Sequence, residues 1–373
     1  MPLSASRLDP LLRLALVQGV GPQRFALLTE RFGSVESTLG ASVGELAKLP
    51  GIGSELARRI SEAGNNGFGR RVDAAMREIE RVGAVAFDAT DPLYPQSFRV
   101  LADPPFLLFA AGDTALLTRE GVAMVGTRAP TLYGRDAAKS LASGLAWAGF
   151  GIISGMARGI DTIAHRAALD AGGHTIGVLG HGIGQVYPPE NRGLFAAVRD
   201  RGLLLTELPP GEKPLAGNFP RRNRLIAALS QAVLVVEMGF KSGAQHTVTY
   251  ALELGKEVMA VPGPISVPSC AGTNQLIRDG AVMVTCADDV IDEIRGVGAA
   301  ASYGGTDAAE RAPAPMLSAE EQRLLALLGG EPAHVDELAG ASRMGVGILL
   351  SALLDLELKG LAEPLPGSRY RRR

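Results

Sequence analysis

The stretch Gly121–His165, GVAMVGTRAPTLYGRDAAKSLASGLAWAGFGIISGMARGIDTIAH, decides how the chain is read. It opens with an apolar run, Val122–Val125, and breaks at Gly126-Thr127-Arg128. A helix-period segment follows from about Tyr133 to Ala148, then a second apolar run, Phe150–Ile153, ending in Ser154-Gly155. Gly159–Ala168 again has a helical pattern. Strand, glycine turn and helix, repeated, is the pattern of a parallel α/β sheet. Ligands of such sheets bind beyond the carboxyl ends of the strands, where both glycine turns fall.

The rest of the composition fits this reading. A chain of 373 residues, 46% hydrophobic and 20% charged, can bury a sizeable core in two or three domains. The formal net charge of -2 gives no global affinity for nucleic acid, so any anion site is a local patch. The two cysteines, Cys270 and Cys286, form no CxxC pair and suit a reducing compartment. The first residues lack the basic and apolar blocks of a signal peptide, and no run is long and apolar enough to span a bilayer. The expectation is a cytoplasmic protein without a membrane partner.

Residues 1–88 read as helical with an internal echo: LALVQGVGPQRFALLTERF and LAKLPGIGSELARRISEA. Both resemble the helix-hairpin-helix motif, at Gly19-Val20-Gly21 and Gly51-Ile52-Gly53. The glycines either present helix-start N–H groups to a phosphate or only close turns. From Ala89 to Gly112 prolines exclude a regular helix, and Phe106–Ala110 can add a strand to the sheet. Further apolar runs at Thr175–Leu179, Leu203–Thr206, Ala232–Glu237, Val258–Val261 and Ala281–Val284 suit strands covered on both faces. Helical segments at Glu190–Arg199, Arg222–Leu229, Gly243–Leu254 and Gly272–Arg278 separate most of them. This gives a sheet domain over 89–295 and an Ala/Gly/Pro-rich linker over 296–315. Residues 316–373 follow, with a capping box at Ser318 and Glu321, three helices and a basic tail. That order suggests a winged helix. Its presumed recognition helix is apolar and acidic, which favours a protein contact over base reading.

Candidate chemistry is sparse. A dinucleotide site fails because Gly126-Thr127-Arg128-Ala129-Pro130 lacks G-x-G-x-x-G, and the second strand ends in Ser154-Gly155 without a ribose-binding acid. The five histidines show no metal-ligand spacing. Asp161 and His165 stand four apart on one helix; either they orient a general base or the acid complements the helix dipole. Positive charge concentrates at Phe219-Pro220-Arg221-Arg222-Asn223-Arg224, read as a loop, with Lys213 upstream. Guanidinium groups and a ring are what single-stranded nucleic acid needs, but the same arginines can pair with Glu207 and Glu237.

VGTR (Val125–Arg128), SGMARGIDTIAH (Ser154–His165), TIGVLGHGIGQVYPPEN (Thr175–Asn191), FPRRNRLIAALS (Phe219–Ser230) and AVPGPI (Ala260–Ile265) together resemble the DprA family, also called Smf. The resemblance spans the whole chain. It implies a SAM-like helical domain, an extended Rossmann-like, doubly wound, mostly parallel sheet and a winged-helix domain. It further implies a cofactor-free protein without catalysis that binds single-stranded DNA and loads RecA recombinase in natural transformation. A homodimer through the Rossmann domain is expected, with single-strand-binding protein as a further partner. Carried over by position, Arg128 holds phosphate in the turns at Gly126, Thr127, Ser154 and Gly155. Phe219 stacks on a base, Arg222 and Arg224 contact phosphates, Asn223 holds loop or DNA, and Lys213 adds charge. Where the family shows SGSLxTA, this chain has Ser242-Gly243-Ala244-Gln245-His246-Thr247-Val248. The departure falls on contacts expected from Ser242 and Gly243, for which Lys241 can compensate or His246 add pH sensitivity. The rival class, a LOG-like nucleotide hydrolase, needs a glutamate where alignment on Thr247 puts Tyr250. A pure protein scaffold is the third reading.

Overall fold

A computed structural model describes residues 3–65, 68–297, 317–329, 333–342, 344–359, 361–365 and 367–372. Six helices come first: α1 (Ala5–Ala15), α2 (Pro22–Phe32), α3 (Val35–Gly40), α4 (Val43–Leu46), α5 (Ser54–Gly64) and α6 (Gly69–Val82). The two expected glycine hairpins lie before α2 and α5. Gly19 and Gly51 take φ of 101° and 75°, which side-chain-bearing residues rarely adopt. Pro22 opens α2, where its missing N–H costs no helical bond. Arg24 couples the hairpins by donating to the carbonyls of Gly19 at 2.6 Å and Gly51 at 3.1 Å. Leu14, Leu28, Leu46 and Ile60 form the buried centre of this helical region.

The sheet begins earlier than the boundary at 88. Strand β1 (Ala84–Asp88) pairs antiparallel with β2 (Leu107–Gly112), which pairs antiparallel with β6 (Leu203–Thr206). The remaining strands run parallel: β3 (Gly121–Val125), β4 (Gly151–Ser154), β5 (Thr175–Val178), β7 (Ala232–Val235), β8 (Glu257–Ala260) and β9 (Val282–Met283). The order is β1-β2-β6-β5-β4-β3-β7-β8-β9. From β3 the chain therefore winds outward through β4, β5 and β6. It then crosses back and winds the other way from β7, so the switch point lies between β3 and β7, where an open α/β sheet leaves a crevice.

The crossover helices are α7 (Leu132–Trp147), α8 (Ile160–Asp170), α9 (Arg192–Arg201), α10 (Asn218–Leu229), α11 (Ala244–Glu253), α12 (Ala271–Arg278) and α13 (Ala287–Arg295). They cover both faces. One core joins α7, α8 and α13 to the sheet through Leu141, Leu145, Ile160 and Ile291. The other packs α10 and α11 on it through Leu225, Ile226 and Val248. A third core docks the amino-terminal helices onto the β2–β6 end, with Leu11, Leu12 and Val72 in one cluster with Phe109, Phe195 and Leu204. Strands buried on both sides explain the unbroken apolar runs.

The chain divides into two compact units, Met1–Gly305 and Thr306–Arg373. The second holds α14 (Ala319–Leu327), β10 (Ala333–His334), α15 (Val335–Ser342), α16 (Val346–Leu358), β11 (Ala362–Leu365) and β12 (Arg369–Arg372). Its strands order β10-β12-β11, a three-stranded wing, around a core of Leu324, Leu338, Leu349 and Leu353. The capping box expected at Ser318 and Glu321 forms, and Lys359 adds a 2.6 Å ion pair to Glu321. The expected linker lies, from 298 on, outside the described residues. Among the described residues no single helix is long and apolar enough to cross a membrane.

Candidate nucleic-acid interface

At the switch point an open groove of about 740 Å³ runs over the carboxyl ends of β3, β4 and β7. Val125–Arg128, Ala157, Asp161, Tyr187, Phe219, Arg222, Asn223 and Lys241–Ala244 are among its lining residues. The helix expected over Arg222–Leu229, α10, starts earlier, at Asn218, and so takes in the whole arginine-rich segment, including the part expected as a loop. Proline is tolerated in a first helical turn, so Pro220 does not prevent this. Phe219 and Arg222 then stand three residues apart, on one helical face.

Phe219 is half-buried. Its ring centroid lies 5.4 Å from that of Tyr187, and the Arg128 guanidinium carbon lies 6.0 Å from it. Gly180 makes room beneath the ring, since a Cβ there would stand 2.7 Å from Phe219 Cδ1. Arg128 is exposed and has no ion-pair partner among the described residues. Its turn is strapped from behind by Glu237, which is fully buried. The Thr127 N–H donates to the Glu237 carbonyl at 2.8 Å, and the Thr131 hydroxyl donates to the Glu237 carboxylate at 2.7 Å. Glu237 thus holds the start of α7 and pairs with no arginine among the described residues.

Arg222 is 5% exposed and forms the floor of the groove. It donates to the carbonyls of Gly155, at 2.8 Å, and Val178, tying α10 to the ends of β4 and β5. Burial pushes its pKa down to about 10, against the pull of Asp161, so it stays charged at neutral pH. Asp161 sits beside it and accepts the N–H groups of Gly155 at 3.0 Å and Ala157 at 3.2 Å. Burial raises the Asp161 pKa, opposed by Arg222 and by these amides.

Several expected contacts take other roles. Arg224 does not face the groove. Two residues on from Arg222 is about 200° around a helix, and Arg224 forms ion pairs with Asp103 at 2.8 Å and Glu207 at 2.7 Å. The Gly155 N–H is used by Asp161, and the buried Ser154 hydroxyl donates to the Met124 carbonyl at 2.6 Å, so neither is left for a ligand. Lys213 is exposed but outside the groove lining, as is His246. Asn223 serves the loop: its amide donates to the Gly243 carbonyl at 3.3 Å. The Asp161–His165 pair does not form. His165 is buried and its Nδ1 lies 2.6 Å from the Thr175 hydroxyl, which itself donates to the Ile152 carbonyl. Thr175 therefore accepts from His165 Nδ1–H. Gly126, Thr127, Arg128, Phe219, Arg222, Asn223, Lys241, Ser242 and Gly243 do meet in one groove. Tyr187, within the QVYPPEN run, and the buried Thr247 join them as lining residues not expected from sequence. No group of three metal-ligating side chains occurs among the described residues.

Comparison with known proteins agrees with this architecture. A family model described as DNA recombination-mediator protein A matches residues 86–295, and one for the DprA winged helix domain matches 308–368. A SAM-like helix-hairpin-helix tandem matches 11–63. Protein Smf of Synechocystis is 32% identical over 96% of both chains. The crystal structure of DNA processing protein A from Streptococcus pneumoniae aligns with a TM-score of 0.68 at 32% identity, over 79% of this chain and 99% of that one. A Helicobacter pylori DNA processing protein A structure, whose subject is its single-stranded DNA binding mode, aligns with a TM-score of 0.52 at 32% identity, over 56% of this chain and 94% of that one.

Proposed function

Because the chain belongs to the DNA recombination-mediator protein A family, also called DprA or Smf, we propose that its switch-point groove binds single-stranded DNA and that the protein delivers this strand to a RecA-type recombinase. The observation that carries the reading is the exposed Arg128 set over the Phe219 ring, which packs on Tyr187, in an open groove. An unpaired guanidinium neutralises a phosphate, and a fixed ring stacks on any base, so the combination suits a strand of any sequence. Duplex DNA keeps its bases stacked inside and offers the ring nothing.

The reading includes no catalysis. Asp161 is the carboxylate among the groove-lining residues; its Oδ2 accepts the N–H groups of Gly155 and Ala157, and the nearby charge of Arg222 favours its ionised form. Tyr250 stands where a LOG-like hydrolase needs its glutamate. A homodimer through the sheet domain belongs to the same proposal, as do contacts with the recombinase and with single-strand-binding protein.

Oligonucleotide binding across a salt series tests the site. The chain should prefer single strands to duplex. Arg128→Ala should weaken binding to every sequence and lower the salt slope by about 0.7, the value for one lost single-strand phosphate contact. Unchanged affinity in this variant would remove Arg128 from the site. Recombinase filament formation on DNA coated with single-strand-binding protein tests delivery: the protein should shorten the lag, and an unaltered lag refutes that half of the proposal.

A further inference from the structure

A second stretch of the groove lining, Gly239–Gly243, carries an exposed aromatic side chain. Phe240 follows β7, between groove-lining Gly239 and Lys241, and is 70% exposed. Its loop is held at both ends. The Met238 carbonyl accepts the N–H groups of Gly272 at 2.7 Å and Thr273 at 3.3 Å, and Gly243 is held by Asn223. The ring between these anchors therefore stands outward on an ordered backbone.

A single exposed apolar residue needs no explanation. Phe240, however, follows the strand that lies between β3 and β8. Leu132 and Tyr133 follow β3 and Ile265 follows β8, the strands on either side of β7, and all three are exposed. Phe240 itself is flanked by two groove-lining residues, and one of them, Lys241, has no ion-pair partner among the described residues and supplies a cation beside the ring. The groove thus carries Arg128 set over Phe219 and, elsewhere on its lining, the cation Lys241 next in sequence to the exposed ring of Phe240.

We propose that Phe240 is a second base-stacking platform, which takes a nucleotide of the same single strand after it leaves the Phe219 end of the groove. The occupant is single-stranded nucleic acid because both neighbours of Phe240 line the groove and one of them is a cation with no ion-pair partner among the described residues. The inference rests on the reading of the groove as a single-strand site.

Oligothymidylates of about 4 to about 16 nucleotides, the range of site sizes on single-strand-binding folds, separate the two ideas. The shortest should bind Phe240→Ala and the unaltered chain equally. The longest should bind Phe240→Ala about tenfold more weakly, with an unchanged salt slope, as expected for a lost base–ring contact. Phe240→Trp should keep full affinity at every length. Equal affinity of Phe240→Ala and the unaltered chain at all lengths overturns the second platform while leaving the groove intact. An equal loss at all lengths places Phe240 elsewhere and also overturns it. No binding by the unaltered chain refutes the groove and the platform together.

Discussion

Phe219 and Arg224 lie five residues apart in one arginine-rich segment, and their surroundings set opposite expectations for their removal. Phe219 sits half-exposed against Tyr187 and below Arg128. Phe219→Ala should cost about 1–3 kcal/mol of single-strand affinity and leave the salt slope unchanged, because no cation is lost. A changed slope with unaltered low-salt affinity would contradict stacking. Arg224 is 2% exposed and bridges Asp103 and Glu207. Removing one partner of a buried ion pair leaves uncompensated charge, so Arg224→Ala should lose about 3–5 kcal/mol of stability, read by denaturant unfolding. If the folded variant binds DNA normally at low temperature, Arg224 is structural. A loss of binding with full stability would return it to the interface.

At the scale of elements, the apolar runs made the parallel strands legible, because strands covered on both faces leave little polar alternation. The segment Asn218–Leu229 was harder to read. Arg222–Leu229 reads as helix, but the residues before it do not; a first-turn proline such as Pro220 costs a helix nothing, and the helix sets Arg222 and Arg224 on opposite sides. Partners distant in sequence were also hidden: Asp103 for Arg224, Tyr187 for Phe219 and Thr131 for Glu237 depend on the sheet order. The seam between α8 and β5 shows the same limit. His165, four residues from Asp161, bonds instead to Thr175 across that seam. Burial, reinforced by Arg222, lowers its pKa from 6.5 to about 3. Well above pH 6.5 neither the folded nor the unfolded chain protonates this histidine. Below it, the unfolded chain takes up a proton that the folded chain refuses, so stability falls as pH falls. The contribution is up to about 1.4 kcal/mol per pH unit for one proton. Unfolding measurements from pH 7 downward should show this slope, and His165→Gln should remove it. An identical slope in both proteins would assign the acid sensitivity to other groups.

At the scale of the whole molecule, the groove lies within the unit Met1–Gly305, which has its own buried cores. The second unit has a separate core and presents a different surface. On α16, Val346, Leu350 and Leu354 recur every four residues, the spacing of one helical face, and each is about half exposed. Such a face lacks the polar and basic side chains that read base edges. Of the wing's arginines, Arg371 is paired with Glu363 at 2.7 Å. This arrangement suits contact with a protein better than base reading. Deleting residues 317–373 should therefore leave single-strand affinity within about threefold, under 1 kcal/mol, and keep the salt slope, while reducing any step that needs a protein partner. Binding and filament-loading assays on the same truncated protein separate these outcomes. If affinity and slope fall together, the basic residues of the wing contact DNA and the assignment of the second unit to a protein contact is wrong.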